Sequence, residues 1–373
     1  MSSTVRHDML IAFFILVLGG SCPTGSRAQE SWMFGPFTKV DSINPCLGPL
    51  ATSHFRCPVR GREVCWEAKD VFNPAAVVRG GKVYLLYRAQ DSTGKPNGTS
   101  RIGLAWSSDG VKFTRSASPV LYPDNDSMRR YEWEGGCEDP RIVRGETGDY
   151  VMTYTAYDGK LARLAVATSS DLRHWTKRGL AFGMDGDAEF RDTWSKSGSI
   201  VSRLVGGTPS AVRIRGRYWM YWGESDIYIA TSGDLIHWSP ERSSDGKLLS
   251  VLVPRAGSFD SRLVEPGPPA ILSDEGILFI YNSSNDRKNG DPGLPPGTYA
   301  AGQALFASDD PSRLLRRSGT YFFHPERPFE KAGQVNNVCF VEGLVEFNGA
   351  LLLYYGTADS KIAVAVCARK HTK

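Results

Sequence analysis

The sequence predicts an all-β chain folded as a five-bladed β-propeller, and three observations carry that expectation. Five segments share one layout: a Pro or Gly lead-in, an alternating strand, a turn with Gly or charge, then an aromatic-rich strand. They are NPAAVVRGGKVYLLYRA (73–89), DPRIVRGETGDYVMTYTA (139–156), TPSAVRIRGRYWMYWGE (208–224), PPAILSDEGILFIYNSS (268–284) and EGLVEFNGALLLYYGTAD (342–359). Their aromatic strands carry Tyr87, Tyr154, Tyr221, Tyr281 and Tyr354, at spacings of 67, 67, 60 and 73 residues. Amphipathic helical periodicity is missing, while Trp, Tyr and Phe make up 11% of the chain, a bias that suits strands. Five units of about four strands each is the radial arithmetic of a propeller, and a β-sandwich does not explain five copies of one two-hairpin unit.

Each hairpin is followed by a second strand pair with its own refrain. The copies are IGLAWSSDGVKF (102–113), LAVATSSDLRHW (164–175) and IYIATSGDLIHW (227–238), then a looser ALFASDDPSRL (304–314) and a truncated IAVAV (362–366). The Ser-x-Asp turn followed by Trp or Phe reads as a hairpin whose aromatic closes over the blade. His174 and His237 occupy the same slot in that turn and are turn residues. In front of the repeats, residues 9–20 (MLIAFFILVLGG) are too few to span a bilayer, which takes about 20 apolar residues. Arg6 and His7 precede that stretch and small residues follow it, the pattern of a secretory signal with cleavage after Ala28. The expected organisation is a signal at 1–28, a disulfide-linked extension at 29–70 and the propeller at 71–373. The mature chain is then exported, with no membrane partner.

Composition narrows the partners. With 44 basic against 40 acidic residues the net charge is +4, and no dense basic run gives nucleic acid a footing. Beyond Cys22 there are six cysteines, Cys46, Cys57, Cys65, Cys137, Cys339 and Cys367, an even count that suggests disulfides in an exported protein. Sequons at Asn97, Asn125 and Asn282 are glycan acceptors in a host that glycosylates, and Asn282 is expected to stay bare because it belongs to the pocket. No CxxC, HExxH, GxSxG or P-loop occurs, so neither a metal nor a cofactor is expected.

The propeller itself locates the chemistry. Innermost and second strands run antiparallel, so the starts of the first and the ends of the second share one rim of the central channel. Asn73, Glu138, Asp139 and Glu265 are first-strand starts, whereas Arg88, Asn282 and Asp359 are second-strand ends. Glu138-Asp139-Pro140-Arg141 is the sharpest candidate: an adjacent carboxylate pair beside an arginine, stiffened by proline, separates two carboxyl pKa values. Glu265 is a second acid, held in the rigid Val-Glu-Pro-Gly-Pro-Pro segment, and Glu342 at the head of the fifth hairpin is a third. Carboxyl groups facing across an aromatic pocket are the parts of a glycoside hydrolase, inverting if about 6.5–9.5 Å separates them.

These motifs resemble glycoside hydrolase family 130. The resemblance rests on Glu138-Asp139-Pro140-Arg141, Phe72-Asn73-Pro74, Tyr87-Arg88-Ala89, Gly333–Phe340 (GQVNNVCF) and Tyr354–Asp359 (YYGTAD), in family order from about Val71 to Val366. It implies a five-bladed propeller acting on β-mannosides, with Asp139 as the catalytic acid, in the phosphorylases through a hydroxyl of the bound mannose. Asn73, Arg88 and Asp359 would hold the mannosyl residue, with Arg141 and Asn282 beside them. Family phosphorylases bind phosphate with a Lys ahead of the Gly-Pro-Pro segment and a His after the fourth hairpin's Tyr. Here those places hold Glu265 and Asn282, so the chain is similar to the hydrolase branch, with Glu265 as the water-activating base and Glu342 in reserve. The alternatives are a phosphate-dependent phosphorylase using Lys196 and Arg191 as its anion site, and a glycan-binding propeller without turnover. An oligosaccharide is the partner in every case.

Overall fold

The computed structural model describes residues 30–95, 97–183 and 188–368. The expected signal at 1–28 lies outside the described residues. From Trp32 onward the chain forms one unit, a ring of five antiparallel blades. Blade 1 contains Asp70–Arg79, Lys82–Gln90, Ser100–Ser107 and Thr114–Arg115, and blade 2 contains Gly136–Arg144, Tyr150–Tyr157, Ala162–Ser169 and Thr176–Leu180. Blade 3 contains Ser199–Ile200, Tyr218–Trp222, Ile227–Ser232 and Ser239–Pro240. Blade 4 begins with the split strand Leu263–Pro266 and Ile271–Leu272, then continues through Ile277–Ser284, Tyr299–Phe306 and Leu314–Arg317. Blade 5 contains Cys339–Phe347, Ala350–Thr357 and Lys361–Ala368.

Alternation along these strands sends apolar side chains to both blade faces. The core accordingly divides into five clusters, one between each pair of neighbouring blades. The five repeat tyrosines are the bolts of this ring: all are fully buried, and each phenol reaches a fixed acceptor. Tyr87 donates to Glu67, Tyr154 to Glu132, Tyr281 to Asp260, Tyr221 to the Pro311 carbonyl and Tyr354 to that of Gly110. In the Ser-x-Asp turns, Asp109, Asp171 and Asp234 cap the backbone amides that follow them, and Asp171 and Asp234 also hold the predicted turn histidines His174 and His237.

Three expectations are corrected. The segment 29–70 is not a separate extension. Thr38–Lys39 pairs with Val366 and Ala365 as the outer strand of blade 5, which is why that repeat looks truncated in sequence. Nor is the segment disulfide-linked: its three cysteines, Cys46, Cys57 and Cys65, are free thiols. Cys57 and Cys65 stand at opposite ends of one hairpin, opposite Arg62 and His54, while Cys137, Cys339 and Cys367 fill the clusters between blades as small apolar side chains. Finally, the inner strand of blade 3 is Ser199–Ile200, not the Thr208 segment. Ser202–Val205 and Thr208–Ala211 form an added hairpin that crosses the far end of the channel. It touches Val78 of blade 1, Arg144 of blade 2, Ile271 of blade 4 and Glu346 of blade 5, each near the finish of its inner strand. At its tip Gly207 (φ 82°) lies so close to the Glu346 carbonyl that a Cβ would stand 2.0 Å from the oxygen.

Candidate active site

The inner strands break their register where they reach the rim. Blade 1 bulges between Phe72 and Pro74, blade 2 between Glu138 and Arg141, and blade 5 between Val341 and Gly343. A bulge re-aims a side chain that the pleat would bury in the sheet, and these place Asn73, Asp139 and Glu342 toward the axis. Asn73 (φ 49°), Asp139 (φ 47°), Ser197 (φ 60°) and Asp359 (φ 50°) all adopt the left-handed conformation that non-glycine residues rarely take. Such strain collected at one rim marks a built site.

Asp139 is the hub. Its Oδ1 accepts hydrogen bonds from Asn73 Nδ2 at 2.9 Å and Arg88 at 3.2 Å, and its Oδ2 is 3.7 Å from Lys196 Nζ. Burial pushes its carboxyl up, but Arg88, Lys196 and Asn73 outweigh that and bring it down to about 2. Its neighbour Glu138 takes a 2.7 Å bond from Arg88 and another from Ser100, yet burial keeps it above the ordinary range. The adjacent pair is thus split, as the sequence predicts. Across the channel Glu265 accepts the Ser197 hydroxyl and lies 3.3 Å from Lys196, with burial again raising its pKa. Gly356 faces Asn73, where a Cβ would stand 2.4 Å from Asn73 Oδ1.

Other predicted residues serve differently. Arg141 is buried and donates to the carbonyls of Gly267, Pro266 and Asp139, tying blade 2 to the Gly-Pro-Pro segment rather than offering itself to a sugar. Asn282 is 0% exposed and exchanges two hydrogen bonds with the Val341 backbone, joining blades 4 and 5, so it is neither a sugar ligand nor a glycan acceptor. Glu342 is shut beneath the rim, 3.5 Å from Arg141, with neither oxygen hydrogen-bonded, and burial pushes it far up. Fully buried, it is a poor reserve base. Arg191 is exposed and donates to the Gly183 carbonyl, away from the pocket.

The structure adds residues that sequence reading missed. Glu224 stands close enough to Lys196 and Glu265 to influence both, and accepts the Trp194 indole N–H at 2.9 Å. Tyr299 faces the same group of charges. A cavity of about 260 Å³ opens beside Arg88 and Glu138, lined also by Asn97, Tyr157, Trp194 and Lys196 among others. Among the described residues no group of three or more His, Cys, Asp or Glu is placed to hold a metal ion, the axial carboxylates being compensated by Arg88, Arg141 and Lys196 instead.

Asp359 gives the site a measurable proton. Burial pushes it up to about 7 against the opposing pull of Arg88, whereas an unfolded Asp releases its proton near 3.8. Between those values the folded state binds the extra proton, so this group's contribution to stability falls as pH rises from about 4 to about 7. Scanning calorimetry across that window is expected to show the Tm of wild type falling relative to that of Asp359→Asn. Parallel curves would remove the assignment.

A family model described as "beta-1,4-mannooligosaccharide phosphorylase" matches residues 54–371. A 1,2-β-oligomannan phosphorylase of Thermoanaerobacter sp. is 31% identical over 83% of this chain and 93% of its own length. A glycosyl hydrolase structure from Bacteroides ovatus is 46% identical, with a TM-score of 0.89 over 92% of this chain and 96% of its own. Another solved structure is 45% identical, with a TM-score of 0.91 over 94% of this chain and 98% of its own. Its description says that the GH130 family of mannoside phosphorylases "contains glycoside hydrolases that target beta-1,2 mannosidic linkages in Candida mannan".

Proposed function

Because the chain belongs to glycoside hydrolase family 130, whose members act on β-mannosides, we propose that it cleaves a β-mannosidic bond with inversion, using water as the acceptor. Asn73, Arg88 and Asp359 hold the mannosyl residue, with Glu138 fixing Arg88. Asp139 supplies the proton to the departing oxygen through a sugar hydroxyl: the hydroxyl passes its proton on and takes one from Asp139. A resting carboxylate near 2 has to be protonated first, and Glu138, whose carboxyl burial raises, adjoins it. On the opposite side Glu265 takes the proton of the attacking water, with Glu224 beside it.

The observation that favours water is the compensation of Lys196, which is surrounded by Glu265, Glu224, Asp139 and Glu138. A phosphate dianion entering there meets carboxylates rather than free cations, and each pair of like unit charges repels by about 4 kcal/mol at 4 Å and an effective dielectric of 20. Phosphorolysis is the second reading, and it is the better supported by name, since the family model and the curated relatives are described as phosphorylases. Incubation with β-1,2- and β-1,4-mannobiose, with and without inorganic phosphate, separates the two. Free mannose at a phosphate-independent rate is expected. Mannose 1-phosphate formed only with phosphate would move the chain to the phosphorylase branch. Export through residues 1–28 belongs to the same proposal.

A further inference from the structure

Trp194 is 46% exposed, and among the described large apolar side chains with such exposure it is the one that lines the cavity with Arg88, Glu138 and Lys196. Its ring is not free to turn. The indole N–H is fixed on Glu224 at 2.9 Å, and Tyr157 meets it edge-on, ring centroids 6.5 Å apart. An indole held by its polar edge with its apolar face left open is a surface for the apolar face of a sugar ring. Arg88, which the proposed mannose subsite uses, lines the same cavity but is far more buried than Trp194, so on the proposed function the platform faces the sugar outside that subsite, on the leaving side of the bond.

The platform also belongs to the machinery beneath it. Trp194, Lys196 and Ser197 lie on one short stretch, pinned by Ser195 N–H to the Ala162 carbonyl and by Gly223 N–H to that of Lys196. Along it Trp194 holds Glu224, Lys196 reaches Asp139 and Glu265, and Ser197 donates to Glu265. We propose that Trp194 binds the leaving-side sugar and, through its N–H, positions Glu224, so that one residue sets both preference for an oligosaccharide and alignment of the acidic side of the site. The inference rests on the proposed function and names the subsite that function leaves open.

Two variants separate the two duties. Trp194→Phe keeps a ring and loses the N–H, whereas Trp194→Ala loses both. On β-mannosyl fluoride, whose leaving group is too small to reach the platform, both variants are expected to lower kcat about tenfold with KM unchanged. On β-mannobiose Trp194→Ala is expected to raise KM at least tenfold, while Trp194→Phe stays within about threefold. KM rising equally on both substrates means a structural role and overturns the platform, as does an unchanged KM for β-mannobiose in Trp194→Ala. An unchanged kcat in Trp194→Phe overturns the positioning of Glu224. Calorimetric binding of mannose and of S-linked β-mannobiose distinguishes the premises: mannose binding with disaccharide affinity indifferent to Trp194 overturns the platform alone, whereas a wild type that binds neither ligand overturns the proposed function.

Discussion

Asp139→Asn is expected to lower turnover of a β-mannoside by about 10³–10⁴-fold while the fold stays intact. The amide has the shape of the carboxylate and can still accept from Asn73 or Arg88 through its oxygen, so the bulge and its left-handed backbone are retained. What it lacks is a proton to give. The proton acts in the transition state, so kcat is expected to fall far more than sugar binding, even though Arg88 and Lys196 lose the charge they face together. Chromatographic assay of mannobiose cleavage, with circular dichroism as the control for folding, checks this. Activity within tenfold of wild type would take the acid role away from Asp139.

Glu265→Gln carries the second large effect, a loss of about 10²–10⁴ in kcat. Ser197 and Lys196 both turn to this carboxylate, and Gln keeps an oxygen for the serine while giving up the base. Added azide needs no general base, so it is expected to restore turnover in this variant and give the α-configured mannosyl azide, the product of inversion. Glu224→Gln is the comparison. If Glu265→Gln retains activity while Glu224→Gln loses it and responds to azide, the base is Glu224.

The legible part of the site was the part written into the repeats. Asn73 and Asp139 each precede a proline at the start of an inner strand, so repeat position and local chemistry agreed on the rim. Arg88 and Asp359 followed from the antiparallel pairing of the second strand. Arg141, Asn282 and Glu342 were placed near the axis, but their jobs depend on which backbone lies opposite, and spacing does not encode that. Glu224 closes the third repeat segment, two residues beyond the strand Tyr218–Trp222, where the pattern shows only the end of a hairpin. Trp194 stands outside every repeat. In blade 3 Thr-Pro-Ser-Ala-Val imitates the repeat, whereas the inner strand is a two-residue piece before it. The truncated fifth repeat was the available clue that an upstream segment completes blade 5.

The hairpin of blade 3 that spans the far end of the channel also governs traffic. With Thr208 on Val78, Gly207 against Glu346 and Ser202 on Ala270, it bars the far end of the bore, so that on the proposed chemistry the channel is a blind well entered from the side of Asp139. A polymer cannot thread through a blind well; only its tip can reach the bottom. On the proposed chemistry the enzyme therefore trims chains one sugar at a time from the end. On the same proposal the released mannose would occupy the seat of Asn73, Arg88 and Asp359 below the departing fragment, and added mannose would compete with the next chain tip for it.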